Sequence, residues 1–203
     1  ERLDAGFSIE HLLTMRLQLP EAKYGNADQR RAFYEQLEPR LAAIAGVDAV
    51  AVTTTVPPLR AGERVFEIDG RPSAQPNDEL EVAAVTISPR FFEVVGVNLL
   101  RGRSFKDADG AAGSETVIIN ERMASQYFPG EDPLGRRIRF VPRPPTPDQP
   151  APPWRTIVGV SPSIRHGETR QVELNAVVYI PQRQEPPAGA ALLVRSRLPS
   201  GAL

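Results

Sequence analysis

The strongest constraint on the fold is that the apolar residues of this 203-residue chain come in short runs separated by turn residues. None of these runs approaches the roughly 18–20 apolar residues that span a bilayer. Short runs with alternating apolar and polar side chains are typical of strands, and only a few segments show helical spacing. The sequence therefore predicts an α+β fold with many short strands, in one large domain or two small lobes.

The first third of the chain predicts a strand–helix–strand unit. Residues 11–19 alternate in the manner of a strand. Asn26 and Gln29 have the spacing of a capping box, so we expect a helix to begin there, with a kink at Pro39. Residues 47–55 supply the second strand. The helix of this βαβ-like unit must cover one face of a sheet.

A second lobe is predicted to begin at Ser88, where a serine followed by a proline is typical of a helix start; this helix stops at Gly96. Asn120 is expected to cap a further helix, after a strand at 116–119. Residues 142–153 contain seven prolines in twelve residues, so we expect an extended loop outside the core. Further strands are predicted at 64–68, 81–87, 137–141, 155–160, 176–180 and 191–196.

Composition excludes several classes of function. The 24 basic and 25 acidic side chains leave a net charge of -1, which gives no bulk attraction to nucleic acid or anionic membranes. The absence of cysteine excludes disulfides, thiolate zinc sites and cysteine nucleophiles. The two histidines, His11 and His166, are far apart in sequence, which argues against a histidine-rich metal site. We therefore expect no metal, no cofactor and no nucleic-acid partner.

The sequence also lacks the motifs that carry common chemistries. It has no Gly-x-x-x-x-Gly-Lys phosphate loop, no Gly-x-Ser-x-Gly elbow and no paired-histidine zinc motif. Loop carboxylates occur at Asp69, Asp107 and Asp109, but a few loop carboxylates rarely make a metal site, and we interpret them as solvated turns. His166 is interpreted as a surface residue. The chain is therefore not expected to be an enzyme, and we assign no catalytic residues.

A basic cluster at Arg136, Arg137 and Arg139 leaves two interpretations open. It could contact phosphate or lipid head groups. We favour a structural role in which these arginines pair with nearby acids such as Glu131 and Asp132.

Eleven residues of four kinds are expected to determine the fold: aromatic residues that anchor the core, arginines that anchor loops, one helix cap, and glycines in turns. These residues are Phe91, Phe92, Gly96, Arg101, Gly102, Arg103, Phe105, Asn120, Tyr127, Phe128 and Gly135. The arginines would donate to backbone carbonyls, and the glycines would supply turns that side chains hinder. The four aromatic residues on the two short helices are expected to form the core of the second lobe.

Several phrases, in this order, resemble one family: SPRFFEVVGVNLLRGRSFKDAD (88–109), TVIINERMASQYFPGEDPLGRRI (116–138), WRTIVGVSPSIRH (154–166) and VVYIPQ (177–182). They are similar to the MacB-like periplasmic core domain of ABC transporter permeases with FtsX-like membrane helices. Residues 6–25 resemble the duplicated permeases of soil bacteria, especially acidobacteria. The proline-rich loop and Ser161-Pro162 depart from the family pattern, and neither threatens the fold.

The resemblance implies a split architecture. A porter-like α/β lobe (1–87 and 165–203) would lie next to the membrane, and a smaller mixed α/β lobe (88–164) would be inserted into it. Membrane helices would lie before Glu1 and after Leu203, which places the domain on the periplasmic side of the inner membrane. The implied partners are these helices, a cytoplasmic ATPase acting through the membrane, and a periplasmic adaptor.

The function implied by the resemblance is mechanical. The domain would couple the motion of membrane helices to contact with a partner or substrate during export, by displacement of rigid lobes. One alternative is a soluble extracytoplasmic ligand-binding domain. A periplasmic hydrolase is less favoured, because the sequence offers no spaced nucleophile, base and orienting group.

Overall fold

The structure is a computed structural model, and it describes residues 11–56, 61–71, 79–142, 150–164 and 175–197. Most of the proline-rich loop and His166 lie outside these residues. The strands are β1 Leu12–Gln18, β2 Val47–Thr53, β3 Gly62–Ile68, β4 Leu80–Ile87, β5 Arg101–Gly102, β6 Thr116–Asn120, β7 Arg137–Phe140, β8 Arg155–Ser161, β9 Val177–Pro181 and β10 Gly189–Ser196. The helices are α1 Glu21–Tyr24, α2 Ala27–Ala42, α3 Phe91–Val95 and α4 Glu121–Tyr127.

The predicted capping box begins α2. The Asn26 side chain accepts a hydrogen bond from the Gln29 N–H at 2.9 Å, and the Gln29 side chain accepts one from the Asn26 N–H at 3.3 Å. Pro39 lies inside the helix, as predicted. Tyr34 is buried against the sheet, and its hydroxyl donates to the Pro187 carbonyl at 3.0 Å. The helix therefore covers one face of the sheet, as a βαβ-like unit requires.

Six strands of the sheet close into a ring. Going round the ring, β4 pairs with β3, β3 with β7, β7 with β8, β8 with β6, β6 with β9, and β9 returns to β4. The β4–β9 and β6–β8 pairs are parallel and the other four are antiparallel. The closing ladder joins residues 83–87 to 177–181. Closure of this kind leaves the ring strands without free edges over their paired lengths.

The ring encloses an apolar core. Side chains alternate between the two faces of a strand, and every ring strand sends residues into the same cluster. In β8 these residues are three apart, Ile157 and Val160, because the register of β6 and β8 shifts between them. Met123 and Phe128, from α4 and its C-terminal cap, complete it. The strand residues of this cluster are Phe66, Ile68, Val82, Val117, Ile119, Ile138, Phe140, Ile157, Val160, Val178 and Ile180.

A three-strand extension leaves the ring at β4. Ile87 at the end of β4 pairs with Thr53 of β2, β2 pairs with β10, and β10 pairs with β1. Within the described residues β1 is the outermost strand of this extension. Its Met15 is half exposed for this reason, although the alternating pattern groups it with Leu13 and Leu17.

The helix after Ser88 starts later than the sequence predicts. Its first residue is Phe91 and its N-cap is Arg90, so Pro89 is not the first helical residue. The Ser88 hydroxyl does not cap the helix, because it accepts a hydrogen bond from the Val52 N–H of β2 at 3.0 Å. Gly96 ends α3 in the left-handed conformation with φ of 71°, as a C-terminal glycine commonly does.

The mixed α/β class predicted from the sequence is confirmed. The division into 1–87 plus 165–203 and 88–164 stays a prediction. Ladders cross between these segments, since β3 pairs with β7 and β9 pairs with β6. Among the described helices, none is both long and apolar enough to cross a membrane.

Gly102 occupies a close approach between β5 and β8. Its φ is 73°, and it pairs with Gly159. A Cβ at this position would lie 2.3 Å from the Val158 carbonyl oxygen and 2.8 Å from the Gly159 Cα. Both neighbours are backbone atoms of β8, so they cannot move aside without disturbing the ladder. Gly113 has a similar φ of 81°, but a Cβ there meets no atom within 4 Å.

We predict that Gly102→Ala lowers the free energy of unfolding by roughly 2–5 kcal/mol. An alanine disfavours the left-handed backbone conformation, and its Cβ would overlap the backbone of β8. The matched control is Gly113→Ala, which should cost about 1 kcal/mol from backbone conformation alone. Urea denaturation followed by circular dichroism measures both. Equal losses in the two variants would show that the approach of β8 does not constrain residue 102.

Phe128→Ala is expected to lower the free energy of unfolding by roughly 3–5 kcal/mol, because it empties an aromatic site in the ring core. Phe128 is 2% exposed. The control is Leu100→Ala, since Leu100 is 53% exposed and its truncation should change stability by less than about 0.5 kcal/mol. A loss below about 1 kcal/mol for Phe128→Ala, by the same denaturation, would contradict its placement in the core.

Candidate functional site

The predicted aromatic anchors belong to two clusters. Phe91 and Phe92 pack with Tyr179 on the outside of the ring, and the Phe92 and Tyr179 ring centroids are 5.1 Å apart. Phe128 lies in the ring core, where Tyr127 packs edge-on against Phe66 at 5.0 Å. The expectation of one shared core is therefore wrong, because α3 and α4 cover opposite faces of the same strands. Phe105 belongs to the cluster of α3.

Asn120 joins three elements through its buried amide. Its Oδ1 accepts from the Met123 N–H at 2.9 Å, which caps α4 as predicted, and from the Val177 N–H of β9 at 3.0 Å. Its Nδ2 donates to the Asn175 carbonyl at 2.8 Å. The side chain is thus held by fold contacts.

The two loop arginines form ion pairs. Arg101 lies 2.7 Å from Asp132. Arg103 donates to both carboxylate oxygens of Asp109, at 2.6 and 3.0 Å, and to the Ser104 carbonyl at 3.0 Å. Burial acts to raise the pKa of Asp109, but the Arg103 guanidinium and the Lys106 N–H outweigh it and hold that pKa below its ordinary value. The predicted hydrogen bonds from these arginines to backbone carbonyls are therefore seen only in part, because most of the described guanidinium contacts are with the carboxylates of Asp132 and Asp109.

The basic cluster is paired with acids. Arg136, Arg137 and Arg139 form ion pairs with Glu131, Asp69 and Glu67, respectively. The Arg139 guanidinium also lies over the Trp154 ring, 4.5 Å from its centroid. These contacts fit the structural interpretation. Gly135, with φ of 79°, provides the turn before the cluster.

The loop carboxylates do not converge. Asp69 forms an ion pair with Arg137, and Asp109 forms one with Arg103. Asp107 is exposed. No group of three or more histidine or carboxylate side chains able to hold a metal ion occurs in the described part of the chain.

A cleft of about 260 Å³ opens between α2, the start of α3 and the turn after β9. Its walls combine charged and apolar side chains from segments that are distant in sequence. The lining residues are Arg31, Tyr34, Glu35, Glu38, Pro39, Pro89, Asp107, Gln182 and Arg183. A concave site in which a few polar groups converge against apolar walls is the usual form of a ligand site.

Glu38 is the most perturbed carboxyl in this cleft. It is half-buried near the C-terminal end of α2. Burial raises its pKa to about 7, and the negative charge of Asp107 adds to the increase. The Ser88 hydroxyl and Arg90 favour the ionised form, but they do not offset the loss of hydration. Glu38 therefore changes charge close to neutral pH.

The two arginines of the cleft are engaged by neighbours. Arg31 pairs with Asp28 at 2.5 Å and donates to the Arg183 carbonyl at 3.1 Å. Arg183 lies 3.6 Å from Glu35, and its Nη1 donates to the Asp107 carbonyl at 3.3 Å. These contacts fix the two arginines against α2 and the turn.

This cleft is not predictable from the sequence. Locally, Pro39 indicates a helix irregularity, Asp107 is a loop carboxylate, and Gln182 ends the phrase VVYIPQ. Nothing in their spacing indicates that they meet, because their proximity depends on the pairing of β9 with β4.

Comparison with known proteins gives a match to the MacB-like periplasmic core domain family over residues 5–201. Among curated proteins, the macrolide export ATP-binding/permease protein MacB of Neisseria gonorrhoeae is 31% identical over 68 residues, and so is that of Neisseria meningitidis. These 68 residues are 34% of this chain and 11% of the curated relatives, so the match spans a small part of their length.

Solved structures share the fold. The periplasmic region of MacB from Actinobacillus actinomycetemcomitans superposes with a TM-score of 0.59 at 14% identity, covering 95% of this chain and 78% of that one. The extracellular domain of the noncanonic ABC-type transporter YknZ from Gram-positive bacteria gives 0.53 at 16% identity, covering 92% and 84%.

The family match covers residues 5–201, and the structural likeness covers 95% of the chain. The family is one of transporter domains and not a class of enzymes. The resemblance seen in the sequence is thereby confirmed, and the chain belongs to the MacB-like periplasmic core domain family of ABC transporter permeases.

Proposed function

We propose that this chain is the extracytoplasmic domain of an inner-membrane permease and couples the motion of membrane helices to contact with a partner or substrate during export. The family match over residues 5–201 carries this proposal. The proposal includes membrane helices that flank the chain and an ATPase on the cytoplasmic side. The Neisseria relatives are macrolide export ATP-binding/permease proteins, which makes a macrolide one substrate to test.

The position of the first and last strands supports mechanical coupling. Leu12 at the start of β1 is the register partner of Arg195 near the end of β10. Segments that precede and follow these strands would therefore meet the domain side by side. Membrane helices attached there would act on one edge of the sheet, which is the simplest arrangement for transmitting their relative motion.

A continuous path of backbone pairing leads from this edge to the ring. β10 pairs with β2, and the end of β2 is hydrogen-bonded to β4, where the Thr54 N–H donates to the Thr86 carbonyl at 3.0 Å. Because β4 is itself a ring strand, displacement of the extension pulls on the ring directly. In this proposal residues 1–87 and 165–203 lie next to the membrane, and 88–164 carry the surface for an adaptor or substrate.

Cysteine labelling tests the location. The 203-residue chain has no cysteine, so an introduced thiol is the only one in this domain once any cysteines elsewhere in the full-length protein are replaced by serine. In the full-length permease, Leu100→Cys should react with a membrane-impermeant maleimide on intact spheroplasts, since Leu100 is exposed. Leu193→Cys, at a site 1% exposed, is the matched control and should react only after denaturation. Labelling of Leu100→Cys only after lysis would place the domain in the cytoplasm and contradict the proposal.

A disulfide clamp tests the coupling. Glu67 of β3 and Arg139 of β7 are register partners from the two segments, and Cα atoms in such antiparallel pairs lie about 5.5 Å apart, within disulfide range. With Glu67→Cys and Arg139→Cys in the full-length protein, oxidation should reduce ATP-driven transport several-fold, and reduction should restore it.

The control clamp lies within one segment. Glu63→Cys with Ala83→Cys joins register partners of β3 and β4, so transport should be the same in the oxidised and reduced protein. Unchanged transport with the Glu67–Arg139 clamp fully formed would contradict movement of 88–164 relative to the rest.

A further inference from the structure

Two carboxyl groups in the described lining of the cleft beside α2, those of Glu38 and Asp107, have no ion-pair partner. Within the described residues Glu38 forms no ion pair. The arginine whose charge acts on Glu38, Arg90, is held by Glu93 through two hydrogen bonds at 2.9 and 2.5 Å. The two arginines of the lining are engaged as described above. A half-buried carboxylate without an ion-pair partner is stabilised by any cation that enters the cleft.

A second polar group in the same cleft lacks a partner. Gln182 is 5% exposed, and its Nε2 donates no hydrogen bond. Buried amide donors are nearly always satisfied in native proteins, so an unpaired one needs an explanation. An acceptor atom on a molecule bound in the cleft would provide it. This observation concerns a neutral donor and is independent of the carboxylates.

The character of the walls indicates an organic cation and not a metal ion. Tyr34, Pro39 and Pro89 contribute apolar surface to the cleft. The carboxylates of the lining do not form a group able to hold a metal, since the described residues contain no such group. A metal ion also gains nothing from aliphatic and aromatic walls, whereas alkyl groups around a nitrogen bury apolar area there.

We propose that this cleft binds a small organic ammonium compound carrying a hydrogen-bond acceptor, with the Glu38 and Asp107 carboxylates facing the cation and the Gln182 amide donating to the acceptor. The site joins α2 to the segment that contains α3 and Asp107. An occupant would therefore bridge these two parts of the domain. The inference stands independently of the proposed role in transport.

Binding should be linked to the release of a proton. Because the pKa of Glu38 is raised to about 7, the carboxyl is mostly protonated at pH 6 and mostly ionised at pH 8. A cation prefers the ionised form, so affinity rises with pH. The other charged or titratable groups around it are Arg31, Tyr34, Glu35, Arg90, Asp107 and Arg183. Burial raises the pKa of Tyr34 to about 12, so this phenol stays neutral over the same range.

The test uses choline chloride as the probe, because its quaternary ammonium stays charged at every pH and its hydroxyl is an acceptor. Binding is measured by NMR, from the changes in the backbone amide chemical shifts of Glu38, Asp107 and Gln182 when choline is added to the ¹⁵N-labelled 203-residue chain. The dissociation constant is expected to be about tenfold lower at pH 8 than at pH 6, in proportion to the ionised fraction of Glu38. The uncharged isostere 3,3-dimethylbutan-1-ol should bind at least several-fold more weakly at pH 8.

Variants assign the effect to the cleft. Glu38→Gln should abolish both binding and its pH dependence, whereas Glu21→Gln, an exposed change on α1 outside the cleft, should leave both unchanged. Asp107→Asn provides a second variant in case Glu38→Gln fails to fold. It should weaken binding and move the pH midpoint down, since Asp107 contributes to the raised pKa of Glu38. Equal binding of the alcohol, an affinity independent of pH, or full binding by Glu38→Gln or by Asp107→Asn would each overturn the proposal.

Discussion

The pairing of β4 organises the whole domain. Along one edge β4 pairs first with β3 and then, at Ile87, with β2, while its other edge carries the parallel ladder to β9. The pairings of β4 with β3 and with β9 close the ring, and its pairing with β2 attaches the three-strand extension. This strand is buried on both faces, since Val82 and Val85 enter two different apolar clusters. The ring core, the outer cluster of α3 and the path from the chain ends all depend on this strand.

Local structure was largely predictable from the sequence. The capping box at Asn26, the cap at Asn120 and the stop at Gly96 each depend on residues within a few positions, and the structure shows all three. The start of α3 was mispredicted because the Ser88 hydroxyl bonds to Val52, which is 36 residues away. Ring closure was not predictable, because the alternation of apolar residues indicates that a segment is a strand but does not indicate which other strand it pairs with.

The cleft illustrates the same limit for function. Glu38, Asp107 and Gln182 come from three separate segments, and only the strand pairing brings them together. Burial then changes the chemistry of Glu38, because a carboxyl next to Asp107 and away from water resists ionisation. The sequence carries no sign of that environment. The family resemblance, by contrast, was carried by turn and core residues in a fixed order, which a sequence does display.

The partnership of β1 with β10 also bears on how the chain folds. Residues 12–18 find their neighbours at 189–195, and the ring closes only with 177–181. Contacts between such distant residues form late and slowly. During synthesis or export the first strands must therefore wait, unpaired, until nearly the whole domain has emerged. A chaperone or the translocation machinery would meet this chain as an open, aggregation-prone form for longer than a domain built from local hairpins.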